Sequence, residues 1–195
     1  TGLLRVIRNA YPDAQLDMLL STNNQGVRHA VAPFIDTFHL YQRTARSLFS
    51  VIRDVRAVKY DLVVDLLDNA SSTSGAIIGW SGATLKLGVD KENRRVYTHV
   101  VPLLDNTTTH VIDRYAQLLP AFGIEPSTVD LRPVYQVSDK ELAGTRKELG
   151  VGGGSPCVGI VMAGRHASRR YGREGTTEVI RHINTRYPSV QCYLF

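Results

Sequence analysis

Residues Gly159-Ile-Val-Met-Ala-Gly-Arg-His-Ala-Ser-Arg-Arg-Tyr171 bring an apolar run into a turn that holds one glycine, small residues, three arginines and a histidine. Such a turn, set between a buried strand and a helix, suits an anion. Gly164 allows close backbone approach, the helix start offers free N–H groups, and arginine supplies planar paired donors for phosphate oxygens. Gly164, Arg165, Ser168 and Arg169 are therefore the candidate phosphate ligands. A solvated basic loop is the competing reading, and the turn's place at the carboxyl end of a strand, where open α/β sheets bind ligands, favours the phosphate site.

A second group follows the run Asp61-Leu-Val-Val-Asp-Leu-Leu67. Asp65, Asp68, Asn69 and Ser71 to Ser74 gather at its carboxyl end, with the chemistry to hold sugar hydroxyls. Asn69 or Ser71 equally suits the cap of the next helix. His110 and Arg114 stand four residues apart on one helical face and form a third candidate. Lys91 to Arg95 (KENRR) reads as a solvated turn. Two Asn-x-Ser/Thr triplets, at Asn69 and Asn106, match the glycosylation acceptor pattern, but no secretory signal accompanies them. No carboxylate pair at a readable spacing, no GxSxG and no Walker lysine loop is present, so the residues indicate phosphate handling without a complete catalytic set.

The elements that must position these groups alternate along the 195 residues. The pattern predicts helices over Gly2–Ala10, Val27–Ala32, Thr44–Val58, Ser72–Trp80, Thr108–Phe122, Asp139–Leu149 and Glu174–Arg186. Strands are predicted over Leu16–Leu20, Thr37–Tyr41, Asp61–Leu67, Leu85–Val89, Cys157–Ala163 and Val190–Phe195. In the helix Thr44–Val58 the apolar positions are Leu48, Phe49, Ile52, Val55 and Val58. Asp61–Leu67 is apolar on both faces, as a parallel strand covered by helices would be. The alternation means βαβ units and a mainly parallel sheet, hence an α/β fold. Val151-Gly-Gly-Gly-Ser155 reads as a linker, which sets domains at 1–150 and 151–195. Ile7–Leu19 and Ile183–Phe195 share the order helix end, Tyr-Pro, apolar strand. The later copy has a strand before its helix, so the earlier one should have a strand before Thr1, and the chain reads as cut at both ends.

Composition narrows the partners. No apolar run approaches the ~20 residues of a helical membrane span. The two cysteines, Cys157 and Cys192, suit small buried hydrophobes in a reducing compartment better than a disulfide framework, and the six histidines have no zinc-ligand spacing. The net charge of +5 and a pI near 9.4 favour an anionic partner. Aromatics are not interleaved with the basic residues, so nucleic acid is not expected.

The chain resembles the lipopolysaccharide heptosyltransferases, the ADP-heptose transferases of glycosyltransferase family 9. The resemblance rests on Leu3–Leu20, YDLVVDLL (Tyr60–Leu67), KLGVDKENRRVYTHVVPL (Lys86–Leu103), HVIDRYAQLLPAFGI (His110–Ile124) and GIVMAGRHASRRYG (Gly159–Gly172), in that order. It implies a GT-B fold of two Rossmann-like domains, acceptor on the first (1–150, lacking its first strand) and nucleotide sugar on the second (151–195, only begun). It further implies inverting transfer with no metal and no cofactor beyond the ADP-sugar substrate, a phosphorylated glycolipid acceptor, and a cytoplasmic protein peripheral to the inner membrane. Asp65, Asn69, His110 and Arg114 become acceptor-side candidates. Arg169 stands where the family has a phosphate-binding lysine, and Asp68 where it often has glycine. The family's catalytic base would precede Thr1 and the rest of its donor site would follow Phe195, so this stretch alone is expected not to transfer sugar. A non-catalytic nucleotide- or phosphate-binding module is the alternative.

Overall fold

The computed structural model describes residues 1–151, 156–162 and 171–195. The chain divides into two compact units, Thr1–Gln136 and Val137–Phe195. In the first, the order is α1 (Gly2–Ala10), β1 (Asp17–Ser21), α2 (Arg28–Val31), β2 (Thr37–Tyr41), α3 (Ala45–Val58), β3 (Leu62–Val64), α4 (Ser72–Trp80), β4 (Leu85–Val89), β5 (His99–Val101) and α5 (Val111–Ala116). Strand β1 runs parallel to β2, with Asp17 opposite Thr37 and Ser21 opposite Tyr41. Strands β3, β4 and β5 form a second parallel set, with Leu62 opposite Leu85 and Leu87 opposite His99. Each parallel pair needs a crossover, and helices or short loops supply it. Tyr60, just before β3, donates its hydroxyl hydrogen bond to the Asp17 carboxylate and stands 3.0 Å from His39 Nε2, linking β1 and β2 to the start of β3. Burial, with the carboxylate beside it, pushes the Tyr60 phenol well above its usual range.

Local chemistry sets most boundaries. Thr44 caps α3 by accepting from Ser47 N at 3.1 Å, and Ser71 caps α4 by accepting from Ser74 N at 3.2 Å. Ser71, rather than Asn69, is thus the cap of α4. Val51, Ile52 and Val55 of α3 pack on Ile77 of α4, with Tyr41, Leu48 and Tyr60 around them. Val6 and Ile7 of α1 close a second cluster with Leu119.

Four expectations change. The run Thr108–Phe122 is not one helix: α5 stops at Ala116, and a 3-10 turn covers Leu119–Phe122 before Gly123 takes φ +67°. Pro120 lacks the N–H that would bond the Ala116 carbonyl, so the α-helix cannot pass it. Strand β3 spans only three residues, all half-buried, because it is the edge of its set and β4 is the centre. His99–Val101, read as no element, forms β5. Phe49 lies 62 % exposed on α3. It sits about 100° round the helix from Leu48, off the stripe made by Leu48, Val51, Ile52 and Val55.

The second unit holds α6 (Asp139–Glu148), β6 (Cys157–Ile160), α7 (Arg173–Arg186) and β7 (Gln191–Leu194). Ser138 and Glu141 form a reciprocal capping box on α6, and β6 pairs parallel to β7 with Cys157 opposite Gln191. Both cysteines are free. Cys157 is exposed and Cys192 half-buried, contrary to the expected burial, because among the described residues β6 and β7 pair only with each other and leave their faces partly uncovered. Residues 152–155 of the glycine run lie outside the described residues.

One close approach within β4 is testable. A Cβ on Gly88 would fall 2.6 Å from the buried Tyr97 ring. Gly88→Ala should lower stability by about 1–3 kcal/mol, since the ring is buried and its hydroxyl is held by Asp65. Urea unfolding checks this, and an unchanged midpoint would show that the ring moves freely.

Candidate functional site

The carboxyl ends of β3 and β4 and the segment leading into β5 meet around one buried carboxylate. Asp65 follows β3, its N–H bonding Leu87 O at 2.9 Å and so extending the ladder by one residue. It is 5 % exposed. Its Oδ2 accepts from Ser74 Oγ at 2.6 Å, Tyr97 OH at 2.7 Å and Lys91 Nζ at 3.1 Å, and its Oδ1 accepts from Leu67 N at 3.0 Å. Burial works to raise the carboxyl, but the hydrogen bonds from Ser74, Tyr97, Leu67 and Lys91 outweigh it and hold Asp65 below the usual aspartate range. Burial first, then the bond to that carboxylate, pushes the Tyr97 phenol up.

Lys91 corrects the reading of KENRR as a solvated turn. It is only 7 % exposed, and its ammonium donates to the Leu67 carbonyl as well as to Asp65. Arg94 and Arg95 behave as expected of a surface turn: both are exposed, and Arg94 pairs with Asp90 at 2.9 Å.

Three residues beyond Asp65, the chain reaches a polar cleft of about 260 Å³ lined by Asp68, Asn69, Leu103 to Asn106 and Arg114. Arg114 and Asp68 form an ion pair across it, 46 residues apart in sequence, and both side chains are mostly buried. Arg114 Nε is buried and, among the described residues, has no hydrogen-bond partner. On the far wall Asp105 Oδ1 accepts from the Thr107 backbone N–H and hydroxyl, both at 2.7 Å. These bonds, the backbone one first, hold its carboxyl below the usual range. Tyr115, beside Arg114, has its phenol raised by burial and by the Asp68 charge. A wider cleft, about 370 Å³, lies between α1 and the 124–130 segment, but it is away from the strand ends and its charged groups, Arg5 and Asp130, are 3.7 Å apart.

Of the acceptor-side candidates, Asn69 and Arg114 line the polar cleft. Asp65 lies beneath it in the buried network, and His110 caps α5, its Nδ1 accepting from Ile112 N at 3.3 Å. Arg114 and His110 are therefore one turn apart with different tasks. Asp68 and the segment Leu103–Asn106 were not singled out together by the sequence. The Asp-Asn-Thr-Thr motif at 105–108, ahead of a helix, was the signal available for them. Gly164, Arg165, Ser168 and Arg169 lie outside the described residues. Among the described residues no group of three or more His, Cys, Asp or Glu could hold a metal ion, and no helix is long and apolar enough to cross a membrane.

Parallel α/β units with a polar cleft at the strand carboxyl ends give the chain an α/β fold, and the similar solved structures are of GT-B type. The family model for glycosyltransferase family 9 (heptosyltransferase) matches residues 48–195, and the chain belongs to that family. No curated protein matches it by sequence. Among solved structures it is similar to the glycosyl transferase family 9 protein from Veillonella parvula DSM 2008, with 16 % identity and TM-score 0.76 over 100 % of this chain and 57 % of that one. It is similar also to E. coli ADP-heptose LPS heptosyltransferase II, with 17 % identity and TM-score 0.69 over 100 % and 59 %. E. coli heptosyltransferase WaaC with ADP gives 14 % identity and TM-score 0.65 over 99 % and 62 %. The chain thus spans about 60 % of the length of these structures.

The buried network yields a stability test with a defined sign. Asp65→Asn keeps the shape but leaves the Lys91 ammonium without its counter-charge, which should cost about 3–5 kcal/mol at neutral pH. The folded-state carboxyl lies below its unfolded value of about 4, so its contribution is complete above that pH and is lost as pH falls through the folded value. Urea stability measured against pH should therefore show a flatter acid limb in the variant. An acid limb identical to wild type would remove Asp65 as its source.

Proposed function

We propose that this chain is part of a heptosyltransferase that moves a sugar from an ADP-activated donor to the inner core of lipopolysaccharide, on the cytoplasmic side of the inner membrane. The reading is supported by the family match and by the two similar E. coli proteins, one an ADP-heptose LPS heptosyltransferase and the other a heptosyltransferase solved with ADP. The single observation that carries the acceptor side is the cleft at the carboxyl ends of β3 and β5, where Arg114 faces Asp68 beside Asn69. A phosphorylated glycolipid brings anionic groups that a guanidinium binds with two parallel bonds, and sugar hydroxyls that Asn69 can meet as donor or acceptor. Asp68 occupies Arg114 until such a group replaces it. On the donor side, Gly164, Arg165, Ser168 and Arg169 are the residues that hold the diphosphate. Transfer is an inverting, metal-free displacement: an acceptor hydroxyl gives its proton to a base and bonds the anomeric carbon as the bond to ADP breaks, and the Arg165 and Arg169 side chains stabilise the negative charge that develops on the departing diphosphate.

Two measurements test the two sides separately. With the complete gene product, ADP-heptose and a Kdo-lipid acceptor, product is expected by mass spectrometry. Arg114→Ala should raise the acceptor KM about tenfold or more, given roughly 1.5–3 kcal/mol for a hydrogen bond to a charged group, and leave the donor KM nearly unchanged. No product from the intact protein would refute the transferase reading. In calorimetry with ADP, Arg169→Ala should weaken binding about tenfold while Arg173→Ala changes it little. Equal losses would mean that the 164–170 segment contributes only diffuse positive charge.

A further inference from the structure

The outward face of α3 has an arrangement that the acceptor cleft does not use. Arg46, Phe49, Arg53 and Arg56 recur at steps of three and four residues, and all four are exposed. Arg43, also exposed, stands just ahead of the helix. Phe49 is the largest apolar side chain of α3, yet it is 62 % exposed among these arginines. Asp54 is the only carboxylate on α3 and pairs with Arg53 at 2.9 Å. Arg43, Arg46 and Arg56 have no ion-pair partner among the described residues. At the other end of the face, the Arg56 stem approaches Gly82 to 3.6 Å from where a Cβ would stand. That contact sets the end of α4 beside α3, and Trp80 there is 56 % exposed.

We infer that this face, Arg43, Arg46, Phe49, Arg53 and Arg56 with Trp80 beside it, docks the protein on an anionic lipid bilayer. The choice of occupant follows from complementarity. Clustered arginines are drawn to anionic headgroups, and an exposed phenylalanine and tryptophan among them enter the headgroup boundary, where aromatic rings are favoured. A single strand of nucleic acid would instead require a groove that follows its backbone and a series of stacking rings, whereas this surface is one convex helix. The occupant also rests on the glycolipid-acceptor reading, because an enzyme acting on a membrane-embedded glycolipid works at that surface. The face itself is read from this chain alone.

Trp80 is the only tryptophan, so the native chain reports its own docking. Titrated with phosphatidylglycerol–phosphatidylethanolamine vesicles, its emission should shift to the blue and be quenched by lipids brominated on their acyl chains. Phosphatidylcholine vesicles should leave it unchanged. The double variant Arg46→Ala with Arg56→Ala should lower partitioning about twenty-five-fold, at roughly a factor of five per arginine near an anionic surface. Phe49→Ser should weaken it severalfold and leave a residual binding that added salt abolishes. Lys140→Ala with Arg146→Ala, an equal charge change on the exposed helix α6, should stay within twofold of wild type. All these positions are exposed, and circular dichroism verifies that each variant folds. Equal losses from the α3 and α6 pairs, an unmoved Trp80 emission, or tighter binding to a single-stranded oligonucleotide than to vesicles would overturn the assignment. Vesicle binding uses neither donor nor transfer, so its failure is separable from failure of the transferase assay.

Discussion

The first unit is organised around the Asp65 carboxylate. Four donors reach it from four places: the Leu67 backbone, Ser74 in α4, Lys91 beyond β4, and Tyr97 ahead of β5. One anion thereby joins the ends of three neighbouring strands to the helix that follows the first of them. Whether such a buried pair adds net stability over apolar residues depends on its surroundings, but removing one partner is always costly. Its main effect here is positional. With Asp65 held, the turn through Asp68 and Asn69 has a defined start, Ser71 has a defined place as the cap of α4, and Arg114 finds Asp68 across the cleft. The cleft wall is a consequence of the network beneath it.

Much of the fold was legible because local rules agree with it. Thr37–Tyr41, Ser72–Trp80 and Leu85–Val89 occupy the predicted residues, since each is bounded by turn or capping residues that act within a few positions. The failures have equally local causes. Pro120 breaks a helix whose apolar pattern continues through it, and His99–Val101 is too short for any periodicity to show. Phe49 counts as apolar in a pattern search, yet at 100° per residue it leaves the buried stripe. No count of apolar residues detects that without the angle.

The site was less legible than the fold, for a different reason. Asn69 and Arg114 could be named because polar residues after an apolar strand, and at a helix start, have a small set of uses. Their meeting in one cleft could not, because Asp68 and Arg114 are joined only by tertiary structure across 46 residues. Lys91 is the clearest case. Set among glutamate, asparagine and two arginines, it has the surroundings of a solvated turn, and Asp65, 26 residues earlier, with the Leu67 carbonyl, draws it inside. Charged runs conceal a buried member whenever its partner lies on a different strand.

The contact between Gly88 and Tyr97 has a consequence for how this protein can change over time. The ring fills the space that any side chain at 88 would enter, and its hydroxyl is committed to Asp65. Neither position can therefore drift alone. A relative with a side chain at 88 must have given up the ring at 97, and with it one donor to the carboxylate, which some other residue must then replace. Positions 65, 88 and 97 form a unit of inheritance. In any collection of related sequences their residues should vary together, although only one of the three lies beside the cleft.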